Sequence, residues 1–304
     1  MSGNPVLSRR AALLLFAIVI FAWGFNWTVT KLILQSVPPL WTIAVRSAIA
    51  AAVLLPLLML RGELMWPKRG DLAVVASIGV LHMTAFAALV GVGLGLIPVG
   101  RSIVLGYTTP LWVAPGAALF LGERPTRARM AGVALGVGGL VLMFNPLAFD
   151  WSDKRALLGN AMVLLAAFCW AASILHVRAH KWVSTPFQLV LWEVLLATVL
   201  LALLAFVFEG VPHIRWSGEV AALFLYGGVI GVALAYWAMA MVNRSLPAVT
   251  TSLGILATPV VGVLSALVTL HEPLSLPLIG AMLLIGAGIA LGTLDHWRPA
   301  TAAK

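Results

Sequence analysis

Ten apolar runs, each long enough to cross a bilayer, follow one another with only short polar breaks between them. They cover roughly residues 11–32, 39–60, 72–95, 98–120, 128–146, 157–178, 185–208, 219–242, 246–269 and 276–294. A helix needs about 17 to 25 apolar residues to span the hydrocarbon core. In lipid each backbone polar group must be bonded within the segment, so every run is expected as a helix. The chain is 62% hydrophobic and 10% charged, a balance that gives more apolar surface than a water-soluble interior could hide. The breaks carry turn residues: Pro38-Pro39, Trp66-Pro67, Arg124-Pro125, Thr185-Pro186, Pro212 and Glu272-Pro273. They leave no room for a soluble domain.

Charge sets the orientation. The net charge of +9 would suggest nucleic acid only if it formed a basic face. Here the Lys and Arg side chains sit mostly in the short breaks, where they anchor beside anionic lipid heads, so no nucleic-acid partner is expected. With a cytoplasmic N-terminus, the inner segments carry Arg9, Arg10, Arg61, Lys68, Arg69, Arg124, Arg127, Arg129, Arg178, Lys181, Arg244, Arg298 and Lys304. The outer segments carry Lys31, Arg101, Lys154, Arg155 and Arg215. Thirteen against five follows the positive-inside rule, and both termini are expected in the cytoplasm. Ser8-Arg9-Arg10 superficially resembles a twin-arginine signal, but no small-residue cleavage site follows, so it reads as the flank of an uncleaved first span. The single cysteine, Cys169, excludes an intramolecular disulfide.

One stretch occurs twice. Shifting Gly79–Glu123 by 149 residues lays it on Gly228–Glu272 without a gap. Pro98 meets Pro247, Thr109-Pro110 meets Thr258-Pro259, and Glu123 meets Glu272. Only eight of the 45 positions are identical, and the argument rests on which ones: prolines and a glutamate, rare in apolar helices, at one shared spacing. Ten spans then divide into five and five, residues 1–150 and 151–304. An odd number per half forces opposite orientations, the inverted-repeat design of many secondary carriers.

The repeated set carries a resemblance. A Trp-rich opening helix in each half (Trp23-Gly24-Phe25-Asn26 and Trp170-Ala171-Ala172-Ser173), a Thr-Pro in each fourth helix and a following glutamate (Leu-Gly-Glu123 and Leu-His-Glu272) resemble the EamA-type drug/metabolite transporter superfamily. Length and texture are most similar to its YddG-like aromatic amino-acid exporters. The resemblance implies an all-α, multi-pass protein of the bacterial inner membrane, with ten helices in two inverted repeats around a central cavity. It implies export of amino acids and similar metabolites. No cofactor is expected, and a monomer is one state left open. Two departures, Glu193 where the first half has Arg46 and His271 where it has Gly122, leave the substrate open.

Candidate cavity residues follow from cost and depth. Pro110 and Pro259 lie near mid-membrane; each removes a backbone donor and kinks its helix. The freed carbonyls would take hydroxyls of Thr108, Thr109 and Thr258, so the prolines act either as gates or as bends that shape packing. Arg46 and Glu193 each lie seven residues past a proline, close to the midplane, where a charge costs at least about 2.5–3.5 kcal/mol unless it faces protein or water. They either contact a substrate bearing both charges or are structural; the first reading suits Glu193 better, the second Arg46. His82 and Phe86 share a helix face, and His176 lies nearer the inner end. Either histidine could couple proton movement to transport or simply be an interior residue. Trp41, Trp66, Trp151, Trp182, Trp216 and Trp297 fall at span ends, as an interfacial belt does. Trp23, Trp27, Trp112, Trp170, Trp192 and Trp237 lie inside spans. The expected cavity set is Trp23, Asn26, His82, Phe86, Tyr107, Trp112, Trp170, Ser173, Glu193 and Tyr236, with Pro110, Pro259, Thr109 and Thr258 at its bends. Gly91-x3-Gly95, Gly132-x3-Gly136 and Gly288-x3-Gly292 permit close helix approach, within one chain rather than between two. Glu123 and Glu272 are expected to cap the helices that follow them or to pair with loop bases such as Arg127.

No phosphate-binding loop, zinc-protease motif or nucleophile elbow is present, so neither catalysis nor ATP-driven pumping by this chain is expected. The alternatives are a multidrug or nucleotide-sugar carrier of the same superfamily, and a membrane-embedded scaffold or enzyme. A nucleotide-sugar site would want a cluster of intramembrane bases, and the spans supply mainly Arg46.

Overall fold

The computed structural model describes residues 7–123, 126–144, 150–212, 214–246, 250–251 and 254–294. Among these residues the protein is all-helical. The elements are α1 (Arg9–Ile33), α2 (Pro39–Leu60), α3 (Arg69–Leu96), α4 (Val99–Gly106), α5 (Thr109–Phe120), α6 (Arg127–Phe144), α7 (Lys154–Ala179), α8 (Pro186–Glu209), α9 (Gly218–Ser245), α10 (Ala257–Leu270) and α11 (Leu276–Leu294). Seven helical stretches are long and apolar enough to cross a membrane: α1, α2, α3, α4 with α5, α7, α8 and α9. Shorter apolar helices run from Ala257 to Leu270 and from Leu276 to Gly292. This is a polytopic membrane protein. Pro247 and Trp297 lie outside the described residues, as does much of the ninth run before α10.

The helix starts are written locally. Ser8 accepts from the Ala11 amide, Asp153 from Arg155 and Ala156, and Ser217 from Val220. Thr185 and Gln188 form a capping box at the start of α8, each satisfying an amide that the first turn leaves unbonded. Other helix starts are held from a distance. The Glu209 carboxylate, ending α8, accepts from the amides of Leu40 (2.8 Å) and Trp41 (3.1 Å) at the start of α2. Glu272, just past α10, accepts from Val99 (2.8 Å) and Gly100 (3.1 Å) at the start of α4. Glu123 pairs with Arg129 at 2.9 Å and with Arg178. The expected partners are thereby corrected. Glu272 caps a helix of the other half, not the one after it, and the bases beside Glu123 are Arg129 and Arg178 in place of Arg127.

The fourth apolar run is two helices, not one kinked helix. α4 ends at Gly106, the chain turns through Tyr107 and Thr108, and Pro110 sits in the first turn of α5, where an N–H would have no partner within the helix. The carbonyl of Gly106, which Pro110 cannot serve, accepts from the Thr109 hydroxyl at 2.8 Å, and Leu105 from Thr108 at 2.6 Å. Pro259 likewise falls in the first turn of α10.

Two spans contain π-helical segments, Ile78–Phe86 in α3 and Tyr226–Leu234 in α9. The Thr84 hydroxyl donates to the Gly79 carbonyl five residues back, at 2.7 Å, matching the wider π register.

Helix pairings have a regular plan. α1 packs on α10, and α7 on α4 and α5. α3 packs on α7, and α9 on α1. α2 packs on α9, and α8 on α3. Exchanging the halves of the chain turns each of these pairings into its partner. The pairs α2–α8 and α6–α11 map onto themselves. In α6–α11 the glycines approach backbone to backbone: a Cβ on Gly132 would overlap the Gly288 carbonyl oxygen. The largest apolar core, including Leu105, Val163, Val263 and Ile285, joins helices from both halves.

Candidate functional site

A cavity of about 210 Å³ opens between α1, α2, α3, α7, α8 and α9, with Tyr107 at the break after α4. Helical spacing delivers its walls. Trp23, Asn26, Trp27 and Thr30 form one face of α1, at i, i+3, i+4 and i+7. Ile43, Arg46 and Ser47 do the same on α2. Both π segments reach the cavity, one with His82, Met83 and Phe86, the other with Gly231 and Val232.

Aromatic rings make a continuous wall. His82 lies parallel to Trp170, with centroids 5.0 Å apart and planes 3° from parallel. Phe86 meets the same Trp170 at 5.0 Å and 55°. Tyr236 bridges to Trp23 at 5.8 Å and to His82 at 6.2 Å. Trp23 from the first half thus packs on α9, and its counterpart Trp170 packs on α3. Such a wall stacks a flat or apolar ring while leaving imidazole and phenol edges polar.

The cationic feature is Arg46, which is 7% exposed. Its Nη1 donates to the Thr30 hydroxyl at 2.5 Å and its Nη2 to Asn26 Oδ1 at 2.9 Å. Thr30 spends its own hydrogen on the Asn26 carbonyl at 2.6 Å, so its lone pairs turn toward the guanidinium. Nε has no acceptor, and among the described residues no carboxylate pairs with Arg46. Glycines of the α9 π segment make room for it: a Cβ on Gly227 would lie 2.6 Å from Nε, and one on Gly231 would overlap Asn26 Oδ1.

Seven of the expected cavity residues line this space: Trp23, Asn26, His82, Phe86, Tyr107, Trp170 and Tyr236. Trp112, Ser173 and Glu193 do not. The Trp112 indole donates to Thr108 at 3.1 Å and packs on Phe168 at 4.3 Å, bracing the break between α4 and α5. Ser173 is buried in α7 away from the wall. Glu193 is buried next to the wall residue Val194, and its Oε1 has no partner. Thr109 and Thr258 are buried at the bends beside Pro110 and Pro259, and Tyr107 sits at the first of these bends. His176 faces His180, whose Nε2 meets Asp71 Oδ1 at 2.9 Å, well away from the cavity. The Trp192 indole donates to the Met65 carbonyl at 2.7 Å and stacks on Trp66 at 4.3 Å, clamping the loop before α3. The wall residues not expected from sequence include Thr30, Ser47 and Met83. The spacing of Thr30 and Ser47 from Asn26 and Arg46 on their helices was the available signal.

No metal-binding cluster of His, Cys, Asp or Glu occurs among the described residues. The chain was compared with known proteins. The profile of the EamA-like transporter family matches it twice, over residues 10–145 and 157–294. The "Uncharacterized transporter YoaV" of Bacillus subtilis is 24% identical over 92% of this chain and 96% of its own. A "Probable amino-acid metabolite efflux pump" of Salmonella typhimurium is 28% identical over 93% of this chain and 94% of its own. A "Riboflavin transporter" of Vibrio cholerae is 31% identical over 66% of this chain and 65% of its own. One crystal structure matches 96% of this chain and 100% of its own with a TM-score of 0.67 at 24% identity, a likeness of fold. With its profile matched across both halves of the sequence, the chain belongs to the EamA-like transporter family.

Proposed function

We propose that the protein exports amino acids, the aromatic ones and other neutral ones such as phenylalanine, methionine and threonine, together with related metabolites, by alternating access. The bilayer is the bacterial inner membrane, with both termini in the cytoplasm. Ten spans form two five-span repeats of opposite orientation, residues 1–150 and 151–304. Support for the repeats comes from the double family match, the helix pairings that exchange with the halves, and the π segments and proline-led breaks that recur in each half. Pro110, Pro259, Thr109 and Thr258 act as the bends at which the fourth and ninth spans reorient.

The observation that carries the reading is a cavity walled by both halves, with stacked rings on one side and the buried Arg46 on another. Its volume, about 210 Å³, falls below the ~300–1,000 Å³ of pockets for drug-sized ligands, which suits a single amino acid better than a sugar nucleotide. The relative named as an amino-acid metabolite efflux pump points the same way.

Reconstituted vesicles loaded with labelled phenylalanine, methionine or threonine test the proposal. Protein-dependent, saturable efflux is expected for at least phenylalanine, and absence of flux for all three overturns it. Riboflavin belongs in the same assay because of the relative of that name. Its ring system would use the stacked wall, yet its bulk requires the cavity to widen.

A further inference from the structure

We infer that the cavity recognises its solute by the carboxylate through Arg46, and that the α-ammonium group of an amino acid is dispensable, so that aromatic monocarboxylic acids are carried as well as aromatic amino acids. This rests on the transport reading and narrows it. The charges at the wall are asymmetric. Among the described residues that line the cavity, Arg46 carries the formal charge, and none is an aspartate or glutamate. A guanidinium buried to 7% exposure without a carboxylate partner is a costly arrangement that an arriving anion relieves. Its orientation is set in advance: Thr30 and Asn26 each take one N–H of Nη1 and Nη2, Nε is buried, and the second N–H of each Nη remains in a rigid planar fork that matches a carboxylate. The glycines at 227 and 231 let the α9 backbone pack against the Nε edge of Arg46 and against Asn26, which fixes the guanidinium in place.

The other end of the solute meets rings. Trp170 meets His82 and Phe86 in a cluster, both centroids 5.0 Å away, giving an apolar, stackable surface for an aryl group. An ammonium group has no comparable host. Asn26 Oδ1 already accepts from Arg46, and the Ser47 hydroxyl is engaged with Thr198 at 2.8 Å. Glu193 lies off the wall. A cation in the same small cavity is repelled by Arg46. The structure therefore favours an aryl carboxylate, accepts the zwitterion, and rejects the amine.

Counterflow in proteoliposomes separates these solutes. Vesicles containing the wild-type protein are preloaded with unlabelled phenylalanine, phenylpropionate or phenethylamine, and labelled phenylalanine is offered outside. Phenylpropionate should drive uptake at least as strongly as phenylalanine, with phenethylamine at least tenfold weaker, about the loss expected for an unmet charged hydrogen bond. Arg46→Gln should weaken phenylpropionate about tenfold or more, with Arg46→Lys between. The analogue series on the wild-type protein keeps the test decisive if a variant does not fold. Phenethylamine equal to phenylalanine, or phenylpropionate inert while phenylalanine exchanges, overturns the inference and leaves amino-acid export standing. Direct flux of labelled phenylpropionate that depends on Arg46, with no phenylalanine flux, overturns amino-acid export and leaves carboxylate recognition through Arg46 standing.

Discussion

His271 and Gly122 hold the same place in the two halves, each before the glutamate that follows a broken span, and their backbones agree: φ is 54° at His271 and 67° at Gly122. Glycine adopts this left-handed conformation freely, whereas a side chain there costs roughly 1–2 kcal/mol, partly offset because glycine loses more freedom on folding. His271→Gly is therefore expected to leave the protein unchanged or raise its stability by up to about 1 kcal/mol. His271→Val should lower it, since a β-branched residue fits that region poorly; thermal unfolding in detergent reads both. A second residue-scale prediction concerns Gly227. Its missing Cβ leaves the space that Arg46 Nε fills, 2.6 Å from where a methyl would sit. In Gly227→Ala the long, flexible arginine gives way more easily than the backbone. The fold should survive, while apparent affinity for phenylalanine falls about tenfold.

At the scale of helices, contacts between backbones are the stiff points. Gly132 and Gly288 bring α6 and α11 together so closely that a Cβ on either would overlap the other's carbonyl oxygen. Gly132→Leu should destabilise the protein by about 1–3 kcal/mol or more through overpacking. Gly292→Ala, four residues further along α11 with nothing within 4 Å of its Cβ position, should be neutral or mildly stabilising by the difference in helix propensity. A parallel drop in melting temperature for both would contradict this packing. The caps that reach between distant helices give a further expectation. Replacing Glu209 by alanine leaves the Leu40 and Trp41 amides without their carboxylate. A loss of about 0.5–2 kcal/mol is expected, the usual worth of an N-terminal cap. Glu272→Ala should cost the same at Val99 and Gly100.

Across the whole molecule, Lys31 and Arg178 show how the halves are fastened. Lys31, near the end of α1, donates to the carbonyls of Leu94 and Ile97 at the end of α3, the latter at 3.1 Å. Close by, Glu272 holds the start of α4. Arg178, near the end of α7, meets Glu123 beyond α5. A base closing the first helix of each half is thus joined to the end of a span elsewhere in the bundle. In the inverted-repeat reading these two clusters lie on opposite faces of the membrane, and a carrier must loosen them in turn. That arrangement requires both termini on one side. Single cysteines placed at either end, in a Cys169→Ser background, should be labelled by an impermeant maleimide only from the cytoplasmic side. Labelling of the two ends from opposite sides would remove the opposed halves.

The number of apolar runs, their breaks at proline and glycine, and the recurrence of Thr-Pro and of Trp23 with Trp170 were legible in the chain because they depend on composition and spacing along it. The faces that turn inward were not. In water, a helix shows its buried side by contrast with a polar one; in lipid both sides are apolar, and that contrast fades. Hence Trp112 and Trp192 looked like Trp170 and yet brace a break and a loop. Glu193 lies off the wall, while Arg46, Thr30 and Asn26 meet across two helices to make a polar corner. The π segments are equally hidden in the sequence, because a widened turn is a response to packing against neighbours, and no local residue pattern encodes it. Membership of the bilayer is a property of the amino acids taken in sum; the cavity exists only where helices distant in sequence present their few polar and aromatic groups to one another.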